Sequence, residues 1–316
     1  MGQYVVRRLL IAIPVLIGVS VVNYWLLNAA PGDAVIAMID PLAGPEVRDQ
    51  LARELGLDQP AYIRYLHWAG ELLHGNLGYS YIDFRPVALK IGDRVLPTVA
   101  LVGTSFLLAY LIGTALGVVA ALRPYSRVDF AATFVGLLGI SVPGFFLGLA
   151  AIWAFALKIP IFPTGGMLTT GADFTVADFL AHLALPVLAL TLFDTASLMR
   201  YTRASMLEVL DQDYIRTAVA KGLPGRAVVL RHALRNALNP LITLVGLSLP
   251  RLIGGAIVVE SVFQWPGLGR LAIDSILQRD YPVLMGLNLI VATLVIAGSL
   301  LADLLYSVAD PRIRYA

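Results

Sequence analysis

Two charged residues, Asp194 and Arg251, lie within long apolar stretches of the sequence. A charge at membrane depth costs at least about 2.5–3.5 kcal/mol, so it usually faces a partner or a water-filled cavity. At the rise of an α-helix, Asp194 lies roughly 9 Å and Arg251 roughly 15 Å from the inner ends of their stretches. These depths suit a buried ion pair, which we favour. Contact with a solute, or extension of the side chains toward an interface, remains an alternative.

Other polar residues of these stretches could line a path for a solute. A hydroxyl or amide within a membrane helix can face a cavity, or it can bond to the backbone of its own helix. Residue type does not decide between these two roles. The candidates are Ser141, Thr191, Ser197 and Asn288.

The sequence lacks the motifs of common enzymes. A Walker A loop ends in Gly-Lys-Ser/Thr, because its lysine contacts the phosphates of ATP. The three lysines are followed by Ile, Ile and Gly, so none completes this motif: Lys90, Lys158 and Lys221. No G-x-S-x-G or H-E-x-x-H segment occurs, the four histidines are scattered, and there is no cysteine. We predict no catalytic residue and no metal site.

The composition indicates a membrane protein. Hydrophobic residues make up 58% of the 316 residues and charged residues only 14%, whereas soluble domains usually carry about 25% charged residues. A span needs roughly 20 mostly apolar residues. Six stretches qualify and predict an all-α integral membrane protein: 9–29, 98–122 (opened by Pro97), 130–157, 180–199, 241–262 and 283–306. The first is too long for a cleaved signal peptide, so we expect it to be retained.

Basic residues predict the orientation. Lys and Arg concentrate in the short loops that lie on one side, so we expect both termini in the cytoplasm. The chain then divides into four segments. Residues 1–30 form a cytoplasmic start and the first helix, and residues 31–96 form an extracytoplasmic insert with helix-like sequence at 45–55 and 61–73. Residues 97–306 form a five-helix core with a basic cytoplasmic loop at 200–240, and residues 307–316 form a cytoplasmic tail. A net charge of +2 gives no indication of nucleic-acid binding.

The basic loop contains a predicted short helix at about 212–223. Asp211 or Asp213 could cap its start, and Gly222, followed by a proline two residues later, could end it. Small residues at Ala218 and Ala220 would let another protein approach closely. Contact with anionic lipid is an equal alternative for such a helix.

Short motifs follow one another along nearly the whole chain. They are PGD at 31–33, LGLDQP at 55–60, GNLG at 75–78, SVP at 141–143, YIRTAVAKG at 214–222, RHALRNALNP at 231–240, VVESVF at 258–263, WPGLGR at 265–270, RDYP at 279–282 and DPRIRY at 310–315. Together they resemble the B-type permease subunits of ABC importers for dipeptides, oligopeptides and nickel. In place of the Glu-Ala-Ala that opens this loop in ABC importers generally, the chain has Arg216-Thr217-Ala218, as is common in the peptide branch.

The resemblance implies a type I ABC importer permease fold in the inner membrane. The partners would be a C-type permease, two ATPase subunits that bind ATP and Mg, and an extracytoplasmic binding protein; this chain would hold no cofactor. Helix 212–223 would be the coupling helix that docks on an ATPase. Its contact residues would be Tyr214, Arg216, Ala218, Ala220, Lys221, Gly222 and Leu223. Glu260 and Arg270 would contact the binding protein or form an outer gate, unless they are solvated charges at the membrane edge.

A gradient-driven secondary transporter is the competing function. It predicts two inverted halves with interrupted helices, and the sequence shows no such symmetry. Permeases like those that the chain resembles carry dipeptides, longer peptides, glutathione, nickel chelates, opines and some sugars, so the resemblance leaves the solute open.

Overall fold

The computed structural model describes residues 2–29, 46–47, 50, 53, 56, 58–238, 241 and 256–309. Within these residues the chain is helical, and its one strand-like feature is an isolated bridge between Tyr79 and Pro86. The chain forms two compact units, Met1–Pro97 with Pro266–Ala297 and Thr98–Trp265 with Gly298–Ala316.

The described helices are numbered in chain order. They are α1 Gly2–Ala29, α2 Ala61–Leu73, α3 Val87–Leu122, α4 Arg127–Ser141, α5 Gly144–Ile152 continued by a π-helical turn at Trp153–Lys158, α6 Val176–Leu210, α7 Asp213–Ala220, α8 Gly225–Ala227 continued by a π-helical turn at Val228–Ala233, α9 Leu234–Ala237, α10 Leu268–Gln278 and α11 Tyr281–Ala309. A further helical segment covers 256–262.

Three of these helices are long and apolar enough to cross a membrane: α1, α3 and α11. They correspond to the predicted first, second and sixth stretches. Helix α6, the predicted fourth stretch, passes the same test only as a pair of segments that meet at a 42° bend. The predicted fifth stretch lies mostly outside the described residues, which contain only its position 241 and its end at 256–262.

Two predicted boundaries are wrong. Helix α3 begins at Val87, and Pro97 lies inside it rather than opening it. Prolines inside membrane helices are tolerated, because neighbouring groups can satisfy the freed carbonyl. The third stretch is not one helix, since α4 ends at Ser141 and α5 starts at Gly144. Pro143 disfavours helical backbone at the residue before it, which explains the break.

In the first unit, α3, α10 and α11 pack through apolar side chains. Their buried cluster consists of Val87, Ile91, Leu268, Leu271, Val283 and Leu287. Helix α11 comes so close to α3 that a Cβ at Gly286 would lie 2.8 Å from Val87 Cγ1. A glycine at this position therefore sets the spacing of the two helices.

In the second unit, α3 packs closely against α6 through Gly113 and Gly117. A Cβ at Gly113 would lie 3.0 Å from the carbonyl oxygen of Thr195, and one at Gly117 would lie 2.5 Å from Cβ of Thr202. Two glycines four residues apart form the small-residue pattern that lets membrane helices approach backbone to backbone. The sequence contains this signal, and our sequence interpretation missed it.

Replacing Gly117 by Ala should destabilise the protein. The new methyl group would also meet the carbonyl oxygen of Met199 at 2.7 Å, and backbone cannot move aside as a side chain can. Overpacking of this kind costs about 1–3 kcal/mol. Thermal unfolding in detergent should show a lower midpoint for Gly117→Ala. The matched control is Gly103→Ala on the same helix, where nothing lies within 4 Å of the added Cβ; equal midpoints for the two variants would contradict the packing argument.

Candidate functional site

Helix α7 is the short helix predicted in the basic loop, and it is shorter than expected. It has eight residues, Asp213–Ala220, or about two turns rather than three. The predicted aspartate cap is wrong: Gln212 precedes the helix and its side chain makes no capping bond. The Asp211 carboxylate instead accepts a hydrogen bond of 2.9 Å from Arg216.

The predicted end of this helix at Gly222 is confirmed. Gly222 has a φ of +77°, a left-handed backbone that favours glycine. Its N–H donates to the carbonyl oxygen of Val219 at 2.9 Å. The N–H of Leu223 donates to the carbonyl oxygen of Ala218 at 3.4 Å. These bonds satisfy carbonyls at the end of the helix, as in common helix C-terminal motifs.

One face of α7 is buried and the other is exposed. Ile215 and Ala218 belong to a buried cluster with Ala121, Met206 and Ala233. Ala218 therefore packs inside the chain, so the expectation that it offers a small contact point to another protein is wrong. The exposed side contains most of the predicted contact residues and one valine that the prediction did not include: Tyr214, Arg216, Val219, Ala220, Lys221, Gly222 and Leu223.

An ion pair joins the start of α4 to α6. Its α6 member, Arg203, precedes α7 by only a few turns of helix. Arg203 donates from Nε to Asp129 Oδ1 at 2.6 Å and from Nη2 to Oδ2 at 2.7 Å. Asp129 is buried and also accepts from the N–H of Tyr125 at 3.0 Å. These hydrogen bonds hold the pKa of the Asp129 carboxyl below its usual range, and the bonds from Arg203 contribute most to the lowering. Sequence reasoning missed this pair, because 74 residues separate its members.

A second buried carboxylate, Asp280, organises the loop before α3. Its Oδ2 accepts from Ser80 Oγ at 2.5 Å, and its Oδ1 accepts from the N–H of Tyr81 at 3.0 Å. Lys90 donates to Ser80 Oγ at 2.9 Å and lies 3.5 Å from the same carboxylate. The RDYP motif contains this residue, although nothing in the sequence indicates its partner.

The candidate path residues within the described part of the chain lie on three helices, α4, α6 and α11. Ser141 is exposed at the end of α4, and Asp194 and Ser197 are half-buried on α6. Arg251 lies outside the described residues, so its pairing with Asp194 stays a prediction.

Two path candidates bond to other helices rather than to their own. Thr191 donates to the carbonyl oxygen of Ser105 on α3 at 3.3 Å. Asn288 donates to Asn23 Oδ1 on α1 at 2.7 Å. Bonding within the same helix, the alternative we considered from sequence, is therefore wrong for both residues. Such bonds between helices stabilise their packing in a membrane.

Glu260 is fully buried and accepts a hydrogen bond of 2.7 Å from Thr98 Oγ1. The interpretation of Glu260 as a solvated charge is wrong, because its side chain has no exposed surface. Arg270 is partly exposed and lies 3.7 Å from Asp274 on the next turn of α10. Contact of Arg270 with a binding protein, or a role of either residue in an outer gate, remains a prediction.

The arrangement is that of a helical protein that crosses a membrane several times and presents a short amphipathic helix outside it. In the described part of the chain no three His, Cys, Asp or Glu residues come together as metal ligands. The class that the long apolar helices and the short amphipathic helix define is a membrane permease.

The chain belongs to the family of binding-protein-dependent transport system inner membrane components. Residues 113–315 match this family, and residues 1–102 match the N-terminal region described for the same membrane components. The oligopeptide transport system permease protein AppB of Bacillus subtilis is 44% identical over all of both chains. The dipeptide transport system permease protein DppB of Escherichia coli is 39% identical over 100% of this chain and 99% of its own.

The fold is also that of solved importers. A chain of the MetNI methionine ABC transporter, in an inward-facing conformation, matches 71% of this chain and 97% of its own with a TM-score of 0.57 and 18% identity. The chain is therefore a permease subunit of an ABC importer, and the family excludes the secondary transporter that we considered from sequence.

The Asp129–Arg203 pair should show a stronger energetic coupling than an exposed pair of similar length. We expect Asp129→Ala and Arg203→Ala each to lower the unfolding midpoint, and the double variant to lose less than the sum, because each single change strands a charge. The pair Asp211–Arg216, 2.9 Å apart, is the control. The side chain of Asp211 is 82% exposed and that of Arg216 is 67% exposed, so this pair should couple weakly. Additive losses at both pairs would contradict the prediction.

The contribution of Asp129 should also depend on pH. Since its pKa is lowered in the folded protein, its stabilisation is complete above the ordinary aspartate pKa and is lost as the pH falls through the lowered value.

Proposed function

We propose that the chain is the B-type half of a permease that moves short peptides into the cell, powered by ATP hydrolysis in separate subunits. The full-length similarity to oligopeptide and dipeptide permeases supports peptides as the solute. The apolar helices support passage through the membrane. In this proposal the chain crosses the membrane six times, has both termini in the cytoplasm and exposes residues 31–96 outside.

The observation that supports the coupling role best is the two-sided character of α7. Its inner face is fixed to the chain by Ile215 and Ala218. Its outer face offers apolar surface from Tyr214 and Val219 beside the cations Arg216 and Lys221. Such a surface suits docking on a protein partner, because apolar area binds while the charges select orientation.

The buried face suggests how motion would pass to the membrane helices. Ile215 and Ala218 pack with Ala121 at the end of α3, Met206 near the end of α6, and Ala233. A displacement of α7 by an ATPase would therefore reach two long helices directly through packed side chains. Packed contacts of this kind transmit displacement as a rigid-body movement.

Transport powered by separate ATPase subunits requires several partner chains. A C-type permease would complete the path, two ATPase subunits would bind ATP and Mg, and a binding protein would deliver the peptide outside. We propose that this chain itself binds no cofactor and carries no catalytic residue. Ser141, Asp194, Ser197, Arg251 and Asn288 remain candidates for the path.

Reconstitution into liposomes tests the proposed function. The chain, together with its partner permease, ATPases and binding protein, should accumulate a labelled dipeptide or oligopeptide only when ATP is present on the ATPase side. Omission of the binding protein should abolish uptake. Uptake by the chain alone in an ion gradient, without ATP, would overturn the proposal.

Replacing Gly222 by Trp should uncouple ATP hydrolysis from transport. Nothing lies within 4 Å of a Cβ at this position, so within the chain the substitution adds only the strain of a side chain on a left-handed backbone, about 1–2 kcal/mol. A partner docked against the helix end would leave no room for the indole ring. We expect a loss of peptide uptake and of binding-protein-stimulated ATPase activity in the assembled complex.

Gly222→Asn is the matched control, since asparagine accepts the left-handed backbone better than other side chains. It should retain most of the uptake. Normal stimulated ATPase activity in the Gly222→Trp complex would contradict docking at this position.

A further inference from the structure

The first unit contains a cavity of about 880 Å³. It is lined by the end of α1, one face of α2, the loop before α3 and the first residues of α11. Four lining residues of α2 are Arg64, His67, Trp68 and Glu71, spaced as one face of a helix. The volume falls within the range of small-molecule sites.

The cavity has more cationic than anionic groups. Arg53 and Arg64 line it, and Glu71 is the one carboxylate among its described lining residues. Glu71 already accepts a hydrogen bond of 2.8 Å from Asn76. No ion pair joins either arginine to a carboxylate within the described part of the chain, so their charges attract an anion.

Arg64 is the central cation of this cavity. Its Nη2 donates to Asn28 Oδ1 at 2.6 Å. Its Nε is buried and has no acceptor among the described residues, and the same holds for the indole Nε1 of the neighbouring Trp68. Buried donors without acceptors are unfavourable. A carboxylate beside Arg64 would supply two acceptor oxygens to such donors.

The other walls are aromatic. Tyr24, Trp68, Tyr81, Phe84 and Tyr281 line the cavity, and rings of this kind hold apolar or aromatic side chains. Burial raises the pKa of Tyr81 to about 12, so its hydroxyl stays neutral at physiological pH and can donate a hydrogen bond.

The cavity is preformed. Buried Asp280 holds the loop residues Ser80 and Tyr81 through its two oxygens. The hydroxyls of Ser20 on α1 and Tyr65 on α2 lie 2.9 Å apart, which ties together two helices that contribute to its lining. A site whose walls are held in this way loses little conformational entropy when a ligand binds.

We propose that this cavity binds a small carboxylate with an aromatic or apolar body, the carboxylate on Arg64 and the body among Trp68, Tyr81 and Phe84. The C-terminal residue of a short peptide and a simple aromatic acid share this chemistry. The site lies outside the coupling helix, and its occupancy does not depend on the proposed transport function.

Binding to the purified transporter complex in detergent tests the proposal by calorimetry. The probes are the dipeptide Ala-Phe, its C-terminal amide, and 3-phenylpropionate. We expect both carboxylates to bind saturably. The amide should bind with an affinity at least about tenfold lower, because it cannot form the charge-assisted bonds to Arg64. Tighter binding of Ala-Phe than of 3-phenylpropionate identifies a peptide as the ligand, and equal binding identifies aromatic acids generally.

Variants of the cavity distinguish binding there from binding elsewhere in the complex. Arg64→Gln should remove the difference between Ala-Phe and its amide, whereas Arg64→Lys, which keeps the charge but not the fork, should retain part of it. Arg85→Gln is the control, because Arg85 does not line the cavity and pairs with exposed Asp93; it should bind like the unchanged protein.

Two outcomes would overturn the proposal. One is equal binding of Ala-Phe and its amide, or no saturable binding of any probe. The other is an unchanged carboxylate preference in Arg64→Gln, which would place the binding elsewhere. Neither outcome bears on ATP-driven uptake, so failure of this site and failure of the transport proposal can be told apart.

Discussion

The structure depends on one constraint: lipid offers no hydrogen-bond partners to a backbone. Each crossing segment must therefore be a helix whose amides and carbonyls pair internally. Polar side chains then fix helices mainly near their ends, as Asp129 and Arg203 do. Along the middle of α3 and α6, close approach, which Gly113 and Gly117 permit, fixes the two helices together with the hydrogen bond from Thr191 to the carbonyl oxygen of Ser105. The chain thus combines polar attachment at the ends with small-residue packing between them.

A second constraint, the marginal stability of short helices, makes α7 depend on the long helices. A helix of eight residues is not stable alone in water. It persists because Ile215 and Ala218 complete a cluster with residues of α3 and α6. Its exposed face therefore keeps a fixed position relative to those helices. A partner that moves this face must also move the packed residues beneath it.

The sequence was sufficient where one local rule decides the outcome. The apolar pattern predicted α2 with the bounds Ala61–Leu73, and the left-handed preference of glycine predicted the helix end at Gly222. The sequence was not sufficient where two rules compete. Proline favours the first turn of a helix in water but is tolerated inside membrane helices, and Pro97 lies inside α3. It also gave no partner for Asp280, because Ser80 is 200 residues away and no periodicity links such positions.

Buried carboxylates of this protein share one property that their sequence neighbourhoods do not reveal. Asp129, Glu260 and Asp280 are each almost without exposed surface, and each accepts hydrogen bonds from a residue at least 74 positions away. Separating such a carboxylate from its donor strands a charge in a poorly solvated place, which is far less favourable than separating two apolar side chains. The helices that these bonds join within a unit should therefore move together.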